Sequence, residues 1–75
     1  MAEHFLDTKG MNCPIPILKA KKALNDVPSG EVLEIHATDP GAVADFEAFC
    51  RQTGNELVEW NEEGGLYRFM IKRAA

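Results

Sequence analysis

The sequence holds little of what marks most catalytic or nucleic-acid-binding domains. It has only two cysteines and two histidines among 75 residues. Cys13 and Cys50 are far apart, so neither the Cys-x-x-Cys of a dithiol redox centre nor a zinc-ligand spacing is present. Eight Lys and Arg face twelve Asp and Glu, a net charge of −4. That balance argues against a chain that binds nucleic acid stably by itself, which would need a basic surface. No apolar run approaches the ~20 residues that span a membrane. The opening residues, Met1 to Asp7, lack the basic and apolar regions of a secretory signal. The expectation is therefore a cytoplasmic protein whose cysteines are thiols and not a structural disulfide. The length predicts one domain over residues 1–75. A domain this small hides only ~60% of the surface of its unfolded chain. Its chemistry must lie at the surface or in a crevice that a partner completes.

What is present is a regular alternation of strand and helix patterns. The hydrophobic content of 45% is that of a soluble globular chain. His4 to Thr8 reads as a short strand with Leu6 inward, and Gly10 in the following loop is free to take a positive φ. From Pro14 to about Val27, the apolar residues Ile17, Ala20, Leu24 and Val27 recur at helical spacing, and Pro28-Ser29-Gly30 stops the helix. Glu31 to Thr38 alternates, with Leu33, Ile35 and Ala37 on one face. Asp39-Pro40 predicts a helix start, with Asp39 as N-cap. Val43, Phe46 and Cys50 share a face of that helix, and Gly54 is placed to cap its end. Glu56 to Asn61 and Leu66 to Lys72 are two further strands, joined by a loop over Glu62-Glu63-Gly64-Gly65. The order is β-α-β-α-β-β. The predicted fold class is α+β, a two-layer sandwich of a four-stranded mixed sheet with two helices on one face.

The most informative residues are Cys13-Pro14-Ile15-Pro16, where a loop enters a helix. The spacing predicts Cys13 at the N-cap, Pro14 at the first helical position and Pro16 at the third, where proline is tolerated. First-turn N–H groups and the helix dipole would then face the sulfur. With Lys9 or the helix lysines nearby, the thiol is expected to ionise below the free-cysteine value of ~8.5. Charge is unevenly spread around it: Lys9, Lys19, Lys21 and Lys22 against Glu3 and Asp7 leave residues 1–24 at +2, and the remainder at −6.

The run from Asp7 to Pro16 resembles the Cys-Pro-x-Pro signature of the TusA/SirA-like sulfur carriers. The Asp39-Pro40 start, Asp45, the Phe49-Cys50 pair and Tyr67-Arg68-Phe69 also sit where that family has similar residues, so the likeness runs from about residue 4 to 72. It implies a sandwich like the C-terminal domain of translation initiation factor three. It implies that Cys13 accepts sulfur as a persulfide from a cysteine desulfurase or rhodanese-type donor and passes it to an acceptor protein, with no cofactor beyond the carried sulfur and no metal. Destinations in the family include tRNA thiolation, molybdenum-cofactor synthesis, sulfur oxidation and selenium metabolism. Gly10, Pro14 and Pro16 fall on motif positions. Lys21 and Lys22 match partner-docking positions, whereas Asn25 stands where some members carry another basic residue; Lys9, by the cysteine, is a further candidate for partner docking.

Other readings stand beside this one. Cys13 could serve only as part of a docking edge of a binding or regulatory module, or as a redox-sensing thiol oxidised to sulfenic acid. Cys50 reads as a small core hydrophobe; a pairing with Cys13 would need disulfide geometry that spacing does not reveal. His4 and His36 fit strand positions better than a general-base role, and Asp45 reads as a surface residue. Lys19, Lys21 and Lys22 are either a solvated helix face or a patch that steers an acidic partner toward the Cys13 end. Trp60 reads as cover for the sheet, and its exposure would mark a docking surface.

Overall fold

Alternating strands with one apolar face must bury that face against something, and the two helical stripes supply the cover. The computed structural model describes residues 3–74. Its elements are β1 (His4–Thr8), α1 (Ile15–Leu24), β2 (Val32–Ala37), α2 (Ala42–Thr53), β3 (Glu56–Glu63) and β4 (Leu66–Lys72). The four strands form one sheet in the order β1-β2-β4-β3. β1 runs parallel to β2, with Leu6 opposite Ile35 and Thr8 opposite Ala37. β4 is antiparallel to both β2 and β3. The mixed sheet with two helices on one face is the predicted architecture.

The core lies between the layers. Ala20, Leu24 and Val27 come from α1 and its exit, and Ala42, Phe46, Phe49 and Cys50 from α2. They close over Leu33, Ile35 and Ala37 of β2 and Phe69 and Ile71 of β4. Phe46 and Phe69, both fully buried, meet with ring centroids 4.7 Å apart. The buried hydroxyl of Thr8 donates to the His36 carbonyl at 2.7 Å, so no polar atom is left bare beneath the β1–β2 pair.

Away from Cys13, three boundaries differ from expectation by more than one residue, each for a local reason. Regular α1 stops at Leu24, and the chain reaches Val27 through successive tight turns, Asn25 N–H to Lys22 O, Asp26 N–H to Ala23 O and Val27 N–H to Leu24 O. Glu62 and Glu63 belong to β3, leaving Gly64 and Gly65 as a two-residue turn with φ of 59° and 87°. Two successive positive φ values are what the right-handed twist of a tight hairpin asks for, and glycine meets them without strain. Asp39 does not cap α2, whose N-cap is Gly41. Gly54, at φ 81°, ends that helix as expected and donates to the Cys50 carbonyl at 2.9 Å.

Candidate functional site

Because β1 and β2 are parallel neighbours, their C-terminal ends lie side by side, and the loops that leave them meet. The crevice beyond the carboxyl ends of parallel strands is where such sheets build sites. Here the β1–α1 loop is pinned to the β2–α2 loop by two hydrogen bonds. Gly10 N–H, on a residue at φ 82°, donates to Thr38 Oγ1 at 2.9 Å. Cys13 N–H donates to Asp39 Oδ2 at 3.0 Å. The other oxygen of Asp39 accepts Gly41 N–H at 3.0 Å. Asp39, expected as a helix cap, is thus the clasp between the two loops. Its two amide donors hold its carboxyl below the usual aspartate range.

Cys13 is an exposed free thiol. It lines a shallow crevice of about 260 Å³ between the helices, together with Pro14, Ile17, Asp45, Ala48 and Phe49. The walls are mainly apolar, and Asp45 is the one acidic or basic side chain among the lining residues besides the cysteine.

The electrostatics correct the expected activation of Cys13. The thiol is pushed above the ordinary cysteine value, chiefly by the Asp45 carboxyl that shares its crevice, then by partial desolvation and the negative charge of Asp39. The helix entry supplies nothing to offset this. Pro14, and not Cys13, occupies the N-cap of α1, and it makes no side-chain cap bond. Pro14 and Pro16 carry no N–H, and the N–H of Ile15 is already given to the Asn12 carbonyl at 2.9 Å. The property that lets proline enter a first turn also strips that turn of the donors that would hold an anion.

The lysines are not beside the sulfur either. Lys9 faces Asp7 across 4.0 Å. Lys21 and Lys22 lie in the last turn of α1, two turns from Cys13, where they complement the helix dipole. They open onto different depressions, Lys21 with Phe49, Asn55 and Arg73, and Lys22 with Leu6, Lys19 and Asp26. They therefore cannot act on Cys13 through direct contact. Apolar surface, by contrast, is exposed on the first turns of the helix that follows the cysteine: Ile15 and Leu18 are 45% and 59% exposed.

The remaining candidates fall outside the crevice. His4 Nε2 pairs with Glu31 at 2.7 Å and His36 Nε2 with Glu34 at 2.6 Å, both along the sheet. Cys50 is buried in the core, and burial pushes its thiol up to about 11. Trp60 is 42% exposed, opposite Phe69 on the β3 edge. Among the described residues, no three His, Cys, Asp or Glu side chains cluster to hold a metal, and no helix is long and apolar enough to cross a membrane.

Comparison with known proteins agrees with this arrangement. The model of the family described as "Sulfurtransferase TusA" matches residues 4–73. The chain belongs to the TusA family. It is 61% identical over 72 residues to the sulfur carrier protein TusA of Allochromatium vinosum, covering 96% of this chain and 95% of that one. A putative sulfur carrier protein of Neisseria meningitidis is 49% identical, covering 96% and 97% of the two chains. The crystal structure of a SirA-like protein from Desulfitobacterium hafniense superposes with a TM-score of 0.81 at 23% identity, over 95% of this chain and 97% of that one, and shares the fold. As a TusA-family chain, the protein is a member of a group of sulfur carriers, a role that requires both a sulfur donor and a sulfur acceptor. What sequence reasoning missed in this family member is Asp45. It lies in the first turn of α2, and only the parallel pairing of β1 with β2 brings that turn against the Cys13 loop.

Proposed function

We propose that this protein carries sulfur as a persulfide on Cys13, taken from a cysteine desulfurase or rhodanese-type protein and delivered to an acceptor protein of sulfur metabolism, such as one that thiolates tRNA. The observation that carries this reading is the exposed, unpaired thiol at the rim of an open crevice, in a chain from a family of sulfur carriers. A partner can reach such a sulfur, whereas the buried Cys50 offers no comparable route.

The chemistry is thiol–persulfide exchange. Cys13, as thiolate, attacks the outer sulfur of the donor's persulfide. The donor's S–S bond breaks, its inner sulfur leaves as thiolate with the bond's electron pair, and Cys13 becomes Cys13–S–SH. The proton lost from Cys13 is regained by the donor. Sulfur moves without net oxidation, so no cofactor or metal is needed beyond the carried atom. Delivery is the same step with the roles exchanged. Gly10 and the two prolines position the loop, and the apolar Ile15 and Leu18 beside it offer contact area to a docked partner. Lys9, Lys21 and Lys22 remain candidates for docking at a distance from the sulfur.

The test is intact-protein mass spectrometry after incubation with a cysteine desulfurase and cysteine, with Cys13→Ser as control. A reducible gain of one sulfur mass on the wild type alone is expected. No gain on folded, reduced wild type with desulfurase and rhodanese donors would overturn the carrier reading in favour of a docking module.

A further inference from the structure

Thiol exchange needs the thiolate, yet the surroundings of Cys13 work against it. From the β2–α2 loop, Asp39 accepts the Cys13 amide. From the first turn of α2, Asp45 faces the sulfur across the shared crevice. From α1 come only Pro14 and Ile17, which bring no charge. Lys9, in the cysteine's own loop, is turned to Asp7. Among the described residues no cation pairs with Asp45, and the crevice that holds it is otherwise lined by the apolar Ile17, Ala48 and Phe49, with Gln52.

We propose that Asp45 is a positioning residue that keeps the empty carrier's Cys13 in its thiol form until a Lys or Arg side chain of the docked sulfur donor enters the crevice and pairs with the carboxylate. The proposal rests on the carrier reading above. The crevice suits that occupant on two counts. A long basic side chain can lay its methylene stem along Ile17, Ala48 and Phe49 while its charged head meets Asp45. Once paired, Asp45 no longer opposes ionisation of the neighbouring sulfur, and the arriving cation favours it directly. The proton leaves Cys13 as its sulfur bonds to the donor's outer sulfur, and it ends on the donor's departing thiolate, so the exchange stays balanced. A carrier gated in this way holds its free thiol back from small oxidants and releases it to a partner with the matching charge.

The experiment compares wild type with Asp45→Asn, and with Asp45→Ala in case the amide preserves a hydrogen bond to sulfur. Asp45 is partly exposed on a helix surface, and Asp45→Glu provides a charge-retaining control if either neutral variant folds poorly. Iodoacetamide alkylation of Cys13 is followed against pH, and sulfur loading is followed by mass from two sources, inorganic polysulfide and a cysteine desulfurase with cysteine. In the neutral variants the alkylation midpoint is expected to move to lower pH. Loading from polysulfide, itself an anion, should be as fast or faster. Loading from the desulfurase should fall roughly tenfold, the size of one lost charge-assisted contact. Asp45→Glu should keep most of the desulfurase rate. An unchanged alkylation profile, or undiminished loading from the desulfurase, overturns the gate. Failure of the wild type to load from either source would instead sink the carrier reading itself.

Discussion

Arg73 is the residue whose removal should damage the fold most for the least change in the core. Its Nη1 reaches the carbonyls of Leu24, Asn25 and Val27 at 2.7, 3.1 and 2.8 Å. The Leu24 carbonyl also accepts the Val27 N–H at 3.1 Å, whereas no backbone N–H among the described residues reaches those of Asn25 and Val27 at the α1 exit. One nitrogen has two protons for three acceptors, so the bonds cannot be counted separately. Two charge-assisted bonds from a half-buried guanidinium, with the favourable dipole of the helix end, amount to about 2–3 kcal/mol. In a domain of this size that corresponds to a fall in Tm of roughly 8–24 °C. Arg73→Met keeps much of the stem's packing and removes the donors, and Arg73→Lys keeps one charge without the planar fork. Urea and thermal unfolding of the three proteins should rank wild type above Arg73→Lys above Arg73→Met. Alkylation of Cys13, at the opposite end of α1, should be unaffected below the melting range. A loss under ~0.5 kcal/mol for Arg73→Met would refute the reasoning, since it would mean that water replaces the guanidinium at those carbonyls without cost.

Two further outcomes test the site. Cys50, pushed up to about 11 by burial, should resist iodoacetamide at pH 8 in the native protein, so one thiol per chain reacts before denaturation and a second only after; reaction of two thiols in native wild type, or of any thiol in native Cys13→Ser, would contradict its place in the core. The Asp39 carboxyl titrates below its free value because two amides donate to it, so its contribution to holding the loops is complete above the free aspartate range and is lost as pH falls through the lowered folded value. The amide proton shifts of Cys13 and Gly41 should therefore hold steady through the free value of ~3.9 and move only below it, and movement centred at or above that value would remove Asp39 as the clasp.

How far the sequence could be read depended on the range of the interaction involved. The strand and helix stripes rest on side chains spaced along one element, so Leu33, Ile35 and Ala37, or Phe46 and Cys50, declared their buried face directly. Gly10 and Gly54 were legible for the same reason, because a positive φ is a property of one residue. What was hidden came from pairs brought together across the chain. Arg73 gives no local sign that it closes the end of α1. Asp39 matches a helix cap in sequence, and its second partner, the Cys13 amide, belongs to another loop. The misjudged acidity of Cys13 has a different origin: the prolines were read for what they permit in a first turn, when the N–H groups they lack decide how well that turn holds an anion.

That correction changes what kind of nucleophile Cys13 is. A thiol made acidic by its own fold is reactive toward any electrophile that reaches it, and in an exposed position it would be spent on oxidants as readily as on a sulfur donor. With the negative charges of Asp45 and Asp39 opposing its ionisation, the exposed sulfur is instead quiet when alone. A raised pKa carries a compensation, because a more basic thiolate is the stronger nucleophile once formed. A small chain without a deep pocket cannot shield a reactive atom by burial. It can make reactivity conditional on what docks beside the atom, and a lone carboxylate in an apolar crevice next to the sulfur is enough to set that condition.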